Sequence, residues 1–200
     1  MINVCIAGSK FFGYQVFERL KNEVNVCKVI APAEDDRLAV AAKAHGTDVS
    51  VVHAKTIGEE YMPEGVDLIV AAYLHSKISH AALAKSKHGA IGYHPSLLPR
   101  HRGIASVEWT IKCKDPVAGG SIYILDDGWD HGEVVTQRWC FVDKDWDATA
   151  LWRERLHPMG VDMIVEAVQL IQNNGYDKLP RHKQDERYAT LAPRLKEATS

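Results

Sequence analysis

Short apolar runs alternate along this chain with stretches whose apolar residues recur at helical spacing. Residues 2–7 form an apolar run that Gly8-Ser9 ends, and Phe12, Val16 and Leu20 then mark one face of a helix. A β-branched run over 24–31 closes at Pro32. The alanine-rich segment 37–45 predicts a helix stopped by Gly46, since glycine accepts the left-handed conformation that ends helices. Strands are predicted at 49–52 and 67–72. The second is continuously apolar, as expected of a strand covered on both faces. A short helix at 80–87 and a strand at 90–93 complete a pattern that predicts a parallel sheet with helices on both faces.

The second half changes character. A helix is predicted over 106–112, and Gly119-Gly120 opens a strand at 121–125. An acidic loop over 126–132 then leads at hairpin distance to a second strand at 133–142. Helical periodicity runs through 148–174 (Leu151, Leu156, Val161, Ile164, Val168, Ile171), with a kink or fresh start predicted at Pro158. The charged tail, 180–200, is expected to wrap the surface. Without a repeat or linker, one domain over residues 1–200 is the economical reading.

Composition narrows the setting. With 46% hydrophobic and 25% charged residues, the usage is that of an ordinary globular protein. A formal net charge of -2 gives no global field for nucleic acid, although Arg100, His101 and Arg102 form a local basic patch. Cys5, Cys27, Cys113 and Cys140 make no C-x-x-C pair and read as free thiols of a reducing, cytoplasmic setting. Neither a signal peptide nor an apolar run of membrane-spanning length is expected.

Candidate chemistry starts at residues 89–103, Gly-Ala-Ile-Gly-Tyr-His-Pro-Ser-Leu-Leu-Pro-Arg-His-Arg-Gly. Pro95 forces His94 into an extended conformation and ends the strand there. The histidine is either a hydrogen-bonded strand end or a group placed for chemistry. The turn Gly8-Ser9-Lys10-Phe11-Phe12-Gly13 matches neither G-x-G-x-x-G nor a Walker pattern. It is an ordinary tight turn or a helix N-terminus holding an anion or polar substrate group through Ser9 and Lys10. The acidic loop is either a solvated hairpin turn or the source of a carboxylate that orients the imidazole and stabilises its protonated form. That second arrangement suits proton transfer at a carbonyl-like centre. His94, His101 and Asp130 show no metal-ligand spacing, so no metal is expected.

Taken together, His-Pro-Ser-Leu-Leu-Pro-Arg-His-Arg-Gly at 94–103 and Leu-Asp-Asp-Gly-Trp-Asp-His-Gly at 125–132 resemble the paired signature of the folate-dependent formyltransferases. The first strand and turn, residues 67–83, and a closing segment with Gln184-Asp185-Glu186, Ala189-Thr190 and Pro193 extend the resemblance over nearly the whole chain. It implies an α/β, Rossmann-like formyltransferase fold: a mostly parallel sheet with helices on both faces, a C-terminal β-hairpin and a long helix. It further implies that 10-formyltetrahydrofolate is the donor, and that an amine attacks the formyl carbon as tetrahydrofolate leaves. His94 and Asp130 match the catalytic positions. The folate-lining loops map onto Ser76, Lys77 and Ile78, and onto Asp126, Asp127, Gly128 and Trp129. Gly8, Ser9, Lys10, Arg100 and Arg102 would border the acceptor.

Gly92 departs from the pattern, because the family usually has an oxyanion-holding asparagine there. Losing one such donor costs about 10²–10³ in rate, so His75, or secondarily His131, is expected to take its place. The weak charge and the lack of an added RNA-holding domain argue against nucleic acid as acceptor. The expected acceptor is a small-molecule amine such as an amino sugar nucleotide, amino acid or nucleoside. Hydrolysis of formyltetrahydrofolate and a folate- or nucleotide-binding pseudoenzyme are the alternatives, with no membrane partner and a homodimer left open.

Overall fold

The computed structural model describes residues 1–126 and 128–195. The chain divides into two compact units, Met1–Tyr93 with Met163–Leu179, and His94–Asp162 with Pro180–Ser200.

The first unit contains β1 (Asn3–Gly8), α1 (Lys10–Leu20), β2 (Asn25–Ala31), α2 (Arg37–Ala44), β3 (Asp48–Val51), β4 (Thr56–Ile57), β5 (Leu68–Ala72), β6 (Lys77–Ile78), α3 (His80–Ala84) and all of β7 (Ala90–His94) except its last residue. Its main strands run in the order β3-β2-β1-β5-β7 with every pair parallel. All of β5 is buried. Successive side chains point to opposite faces, so complete burial means that both faces are covered. Helix α1 contributes Phe12, Val16, Phe17 and Leu20 to that cover. Helix α2 is capped by Asp36, which accepts from the Leu38 amide at 2.9 Å, and it stops before Gly46 at φ 82°.

Helix α3 is shorter than the spacing predicts. The amides of Lys87 and His88 bond to the carbonyls of Val66 and Asp67 instead of continuing the helix. The two-residue strands β4 and β6 pair in parallel, a feature the sequence pattern does not signal.

In the strand order the chain moves outward from β1 to β3, then returns to the other side of β1 with β5. The C-terminal ends of β1 and β5 therefore meet at a switch point, where open α/β sheets bind ligands. The Ser9 hydroxyl donates to the Tyr73 carbonyl there at 2.9 Å. Lys10 and Tyr73 both hold left-handed backbone, φ 59° and 61°.

In the second unit, α4 (Ser106–Lys112) precedes the antiparallel pair β8 (Val117–Ile124) and β9 (Val134–Phe141). Gly119 and Gly120 lie inside β8 instead of opening it. A side chain at Gly119 would come within 2.3 Å of the Arg138 carbonyl oxygen and 2.6 Å of Leu97 Cδ2, so the strand runs through glycine where neighbours leave no room. Helix α5 (Ala148–Leu151) passes through a π-turn, Trp152–Leu156, into α6 (His157–Asn174), which continues into the first unit. Val107, Ala118, Leu151 and Leu156 form the core beneath Trp146 and Trp152. The tail is stitched down: His182 and Val134 exchange backbone hydrogen bonds, and Arg102 pairs with Thr190 and Ala192. Among the described residues, no helix is long and apolar enough to cross a membrane.

Candidate active site

Strand β7 ends on His94, which is only 6% exposed. Its Nε2–H donates to the His101 carbonyl at 2.8 Å, and its Nδ1 lies 3.5 Å from Asp130 Oδ2. A carbonyl only accepts, so Nε2 carries a proton and Nδ1 is the nitrogen that faces the carboxylate. The two residues expected to form the reacting pair are therefore together. At 3.5 Å the contact is longer than a formed hydrogen bond, which leaves Nδ1 able to exchange a proton with another group.

Asp130 sits in left-handed backbone at φ 57° and is held at several points. Oδ2 accepts from the Gly103 amide and Oδ1 from the Tyr123 hydroxyl, each at 2.8 Å. The Gln184 side-chain amide donates to the carbonyls of Asp130 and Gly132, both at 2.8 Å. Burial, and then the negative charge of Asp130, push the Tyr123 phenol well above its ordinary value, so it stays a donor.

His101, whose carbonyl accepts from His94, makes a second histidine–carboxylate contact, Nε2 to Asp115 Oδ2 at 2.8 Å. Arg100 grips the same carboxylate through Nε at 2.8 Å and a terminal nitrogen at 2.6 Å. Burial pushes the Asp115 carboxyl up, but the hydrogen bonds from Arg100 and His101 outweigh it and hold the group below its usual range. Arg102, 3% exposed, donates to both Glu186 oxygens at 2.9 and 2.7 Å and to Gln184 at 2.9 Å. Both arginines expected to border an acceptor are thus engaged by carboxylates of the chain itself.

Within the first unit, Gly8 and Ser9 are buried, and the Lys10 amide donates to both Asp36 oxygens at 3.2 and 2.9 Å. The donor expected to hold an anion has an internal carboxylate on it. His75 is exposed, its ring edge-on to Tyr73 at 4.9 Å, and Gly92 is buried opposite Ala71 of β5. Ser76 donates to the Ala54 carbonyl at 2.8 Å, while Lys77 and Ile78 make up β6.

In the second unit, Asp126 accepts from the Gly128 amide at 2.8 Å, and Trp129 is 62% exposed. Asp127 lies outside the described residues. His131 Nε2 stands 3.5 Å from an Arg102 guanidinium nitrogen. No cluster of three or more potential metal ligands occurs among the described residues.

Sequence reasoning missed Tyr123 and Asp115 as parts of this site and had His101 only as a member of the basic patch and of a ligand set without metal spacing. A signal existed for Tyr123: it shares a strand face with Ser121, whose hydroxyl donates to the Ser96 carbonyl at 2.7 Å. Polar residues on one face of a buried strand point to a polar neighbour. Asp115 follows a helix and carries no comparable mark.

The formyl transferase family model matches residues 13–168. Human mitochondrial 10-formyltetrahydrofolate dehydrogenase is 37% identical over 94% of this chain, which covers 22% of that protein. Methionyl-tRNA formyltransferase of Halothermothrix orenii is 26% identical over 97% of this chain and 65% of its own length. This chain thus spans about a fifth of the length of the dehydrogenases it matches. An N-formyltransferase from Helicobacter canadensis, solved in complex with folinic acid and dTDP-3-aminofucose, shares the fold. Its TM-score is 0.80 at 19% identity, over 97% of this chain and 71% of that one. The mostly parallel α/β architecture, the His94–Asp130 pair and the extent of the family match agree: the chain belongs to the formyl transferase family.

Proposed function

We propose that this protein transfers the formyl group of 10-formyltetrahydrofolate to the amine of a small molecule. The observation that carries the reading is the His94–Asp130 pair, with Nε2 committed to the His101 carbonyl and Nδ1 facing the carboxylate. The donor named in the dehydrogenase relatives, and the folinic acid in the Helicobacter canadensis complex, support the choice of folate. In the second unit, the exposed Trp129 indole fits a flat heteroaromatic ring, and Asp126 can offer acceptor oxygens to its nitrogens. In the first unit, Ser76, Lys77 and Ile78 are the corresponding candidates.

When bound, 10-formyltetrahydrofolate supplies an electrophilic formyl carbon. His94 Nδ1 is the only ring nitrogen left to take or give a proton, and its protonated form is a donor to developing negative charge. Asp130, fixed by Gly103 and Tyr123, turns its carboxylate toward that nitrogen. With glycine at 92, that role rests more heavily on His94.

A second reading, hydrolysis, is favoured by the internal partners of the acceptor-side groups. Asp36 covers the Lys10 amide, and Arg100 and Arg102 are paired with Asp115 and Glu186. A phosphate-bearing acceptor held at either unit would have to displace the carboxylate there, whereas water would not.

Tetrahydrofolate release from 10-formyltetrahydrofolate, measured with and without a panel of amines, separates the readings. Transfer predicts amine-dependent release with a formylated product. Release that no amine accelerates means hydrolysis, and folate binding without turnover overturns both. Either reading predicts that His94→Ala and Asp130→Asn lose about 10²–10⁴-fold in rate.

A further inference from the structure

We propose that His101, clamped by Asp115, is a positioning residue that sets the tautomer of His94 through its own backbone carbonyl. The inference rests on reading His94 and Asp130 as the reacting pair. His101 is buried in a left-handed conformation, φ 57°, which is uncommon away from glycine, although histidine, like asparagine and aspartate, enters it more often than most side chains. Three contacts keep it there. Its amide donates to Thr190 Oγ1 at 2.8 Å, its carbonyl accepts from His94 Nε2 at 2.8 Å, and its ring reaches Asp115 at 2.8 Å.

The ring contact fixes a proton on His101 Nε2, because Asp115 also accepts from Arg100 and remains a carboxylate. His101 Nδ1 is then left without a partner. Among the described residues, it is the buried side-chain nitrogen or oxygen that no hydrogen bond satisfies. A ring chosen only to fill this space would not carry such an atom, since an unsatisfied buried polar group destabilises the fold. What the imidazole gains there is the grip on Asp115, and that grip holds the peptide plane. The carbonyl so held accepts from His94 Nε2, so the neutral His94 ring keeps Nδ1 bare and turned toward Asp130.

Histidine-labelled nitrogen NMR of the full chain, with His94 assigned by loss of its signals in His94→Gln, reads the tautomer directly. Steady-state formyl release reads the consequence. In the wild type, neutral His94 should carry its proton on Nε2. His101→Ala should shift the population toward Nδ1–H and lower kcat by up to about 10²-fold with KM unchanged, the scale of a misplaced reacting group. His101→Gln, whose amide can reach Asp115, should restore both.

A folded His101→Ala protein with wild-type tautomer and kcat would overturn the proposal. So would a neutral wild-type His94 whose single proton sits on Nδ1, a result that stands even if His101→Ala fails to fold. A wild type with the expected tautomer and no formyl release would instead reject the proposed function and leave the positioning role intact.

Discussion

Asp130 sits in left-handed backbone, which aspartate tolerates better than most side chains, and its Oδ1 accepts from the Tyr123 hydroxyl. The phenol is pushed well above its ordinary value by burial and by the Asp130 charge, so it donates across the working pH range. Tyr123→Phe keeps the ring and removes the donor. A hydrogen bond to a charged group contributes about 1.5–3 kcal/mol, so denaturant unfolding should show a loss of that size. The rate of formyl release should fall as well, because Oδ1 would then be free to turn the carboxylate away from His94. An unchanged rate in a protein destabilised by that amount would confine Tyr123 to a structural part.

Among the elements, legibility followed the length and continuity of the apolar signal. Strand β5 was readable because all of its residues are buried and its apolar run is unbroken. Strands β4 and β6 were not, since two residues carry no periodicity. Pro158 fell within the helical stretch as a predicted kink or restart. The chain accommodates it with a π-turn, in which the His157 amide reaches back to the Trp152 carbonyl and widens the helix ahead of the proline ring.

The His94–Asp130 pair was legible from two local motifs, whereas the contact of His101 with Asp115 was not, because neither residue type is unusual where it stands. Gly119 was misread as a strand opener; its meaning lies in Arg138 and Leu97, which are distant in sequence. Gly119→Ala should therefore destabilise by about 1–3 kcal/mol, as overpacked sites do. Thermal or urea unfolding against wild type checks it, and a neutral result would mean that β8 and Leu97 move apart at little cost.

At the scale of the molecule, the tail of the second unit closes over the signature loop through Arg102. That guanidinium is buried, while its partner Glu186 is exposed, so the pair's strength depends on Glu186 staying ionised. Arg102 holds the Glu186 carboxyl below its usual range, and Asp115 is likewise depressed once its hydrogen bonds offset burial. A depressed folded-state value means that the unfolded chain binds the proton more readily. The stabilisation is thus complete above the unfolded-state carboxyl values, about 4, and is lost as pH falls through the lower folded-state values. Wild-type urea midpoints should accordingly be flat near neutrality and drop on the acid side. Glu186→Gln should begin lower at neutral pH, because a buried guanidinium loses its charged partner, and should decline less steeply on acidification because one linked proton is gone. Limited proteolysis should find the tail of this variant cleaved earlier than in wild type. If the two midpoint curves stay parallel throughout, Glu186 does not couple tail closure to pH, and the acid limb belongs to Asp115 and the remaining carboxylates.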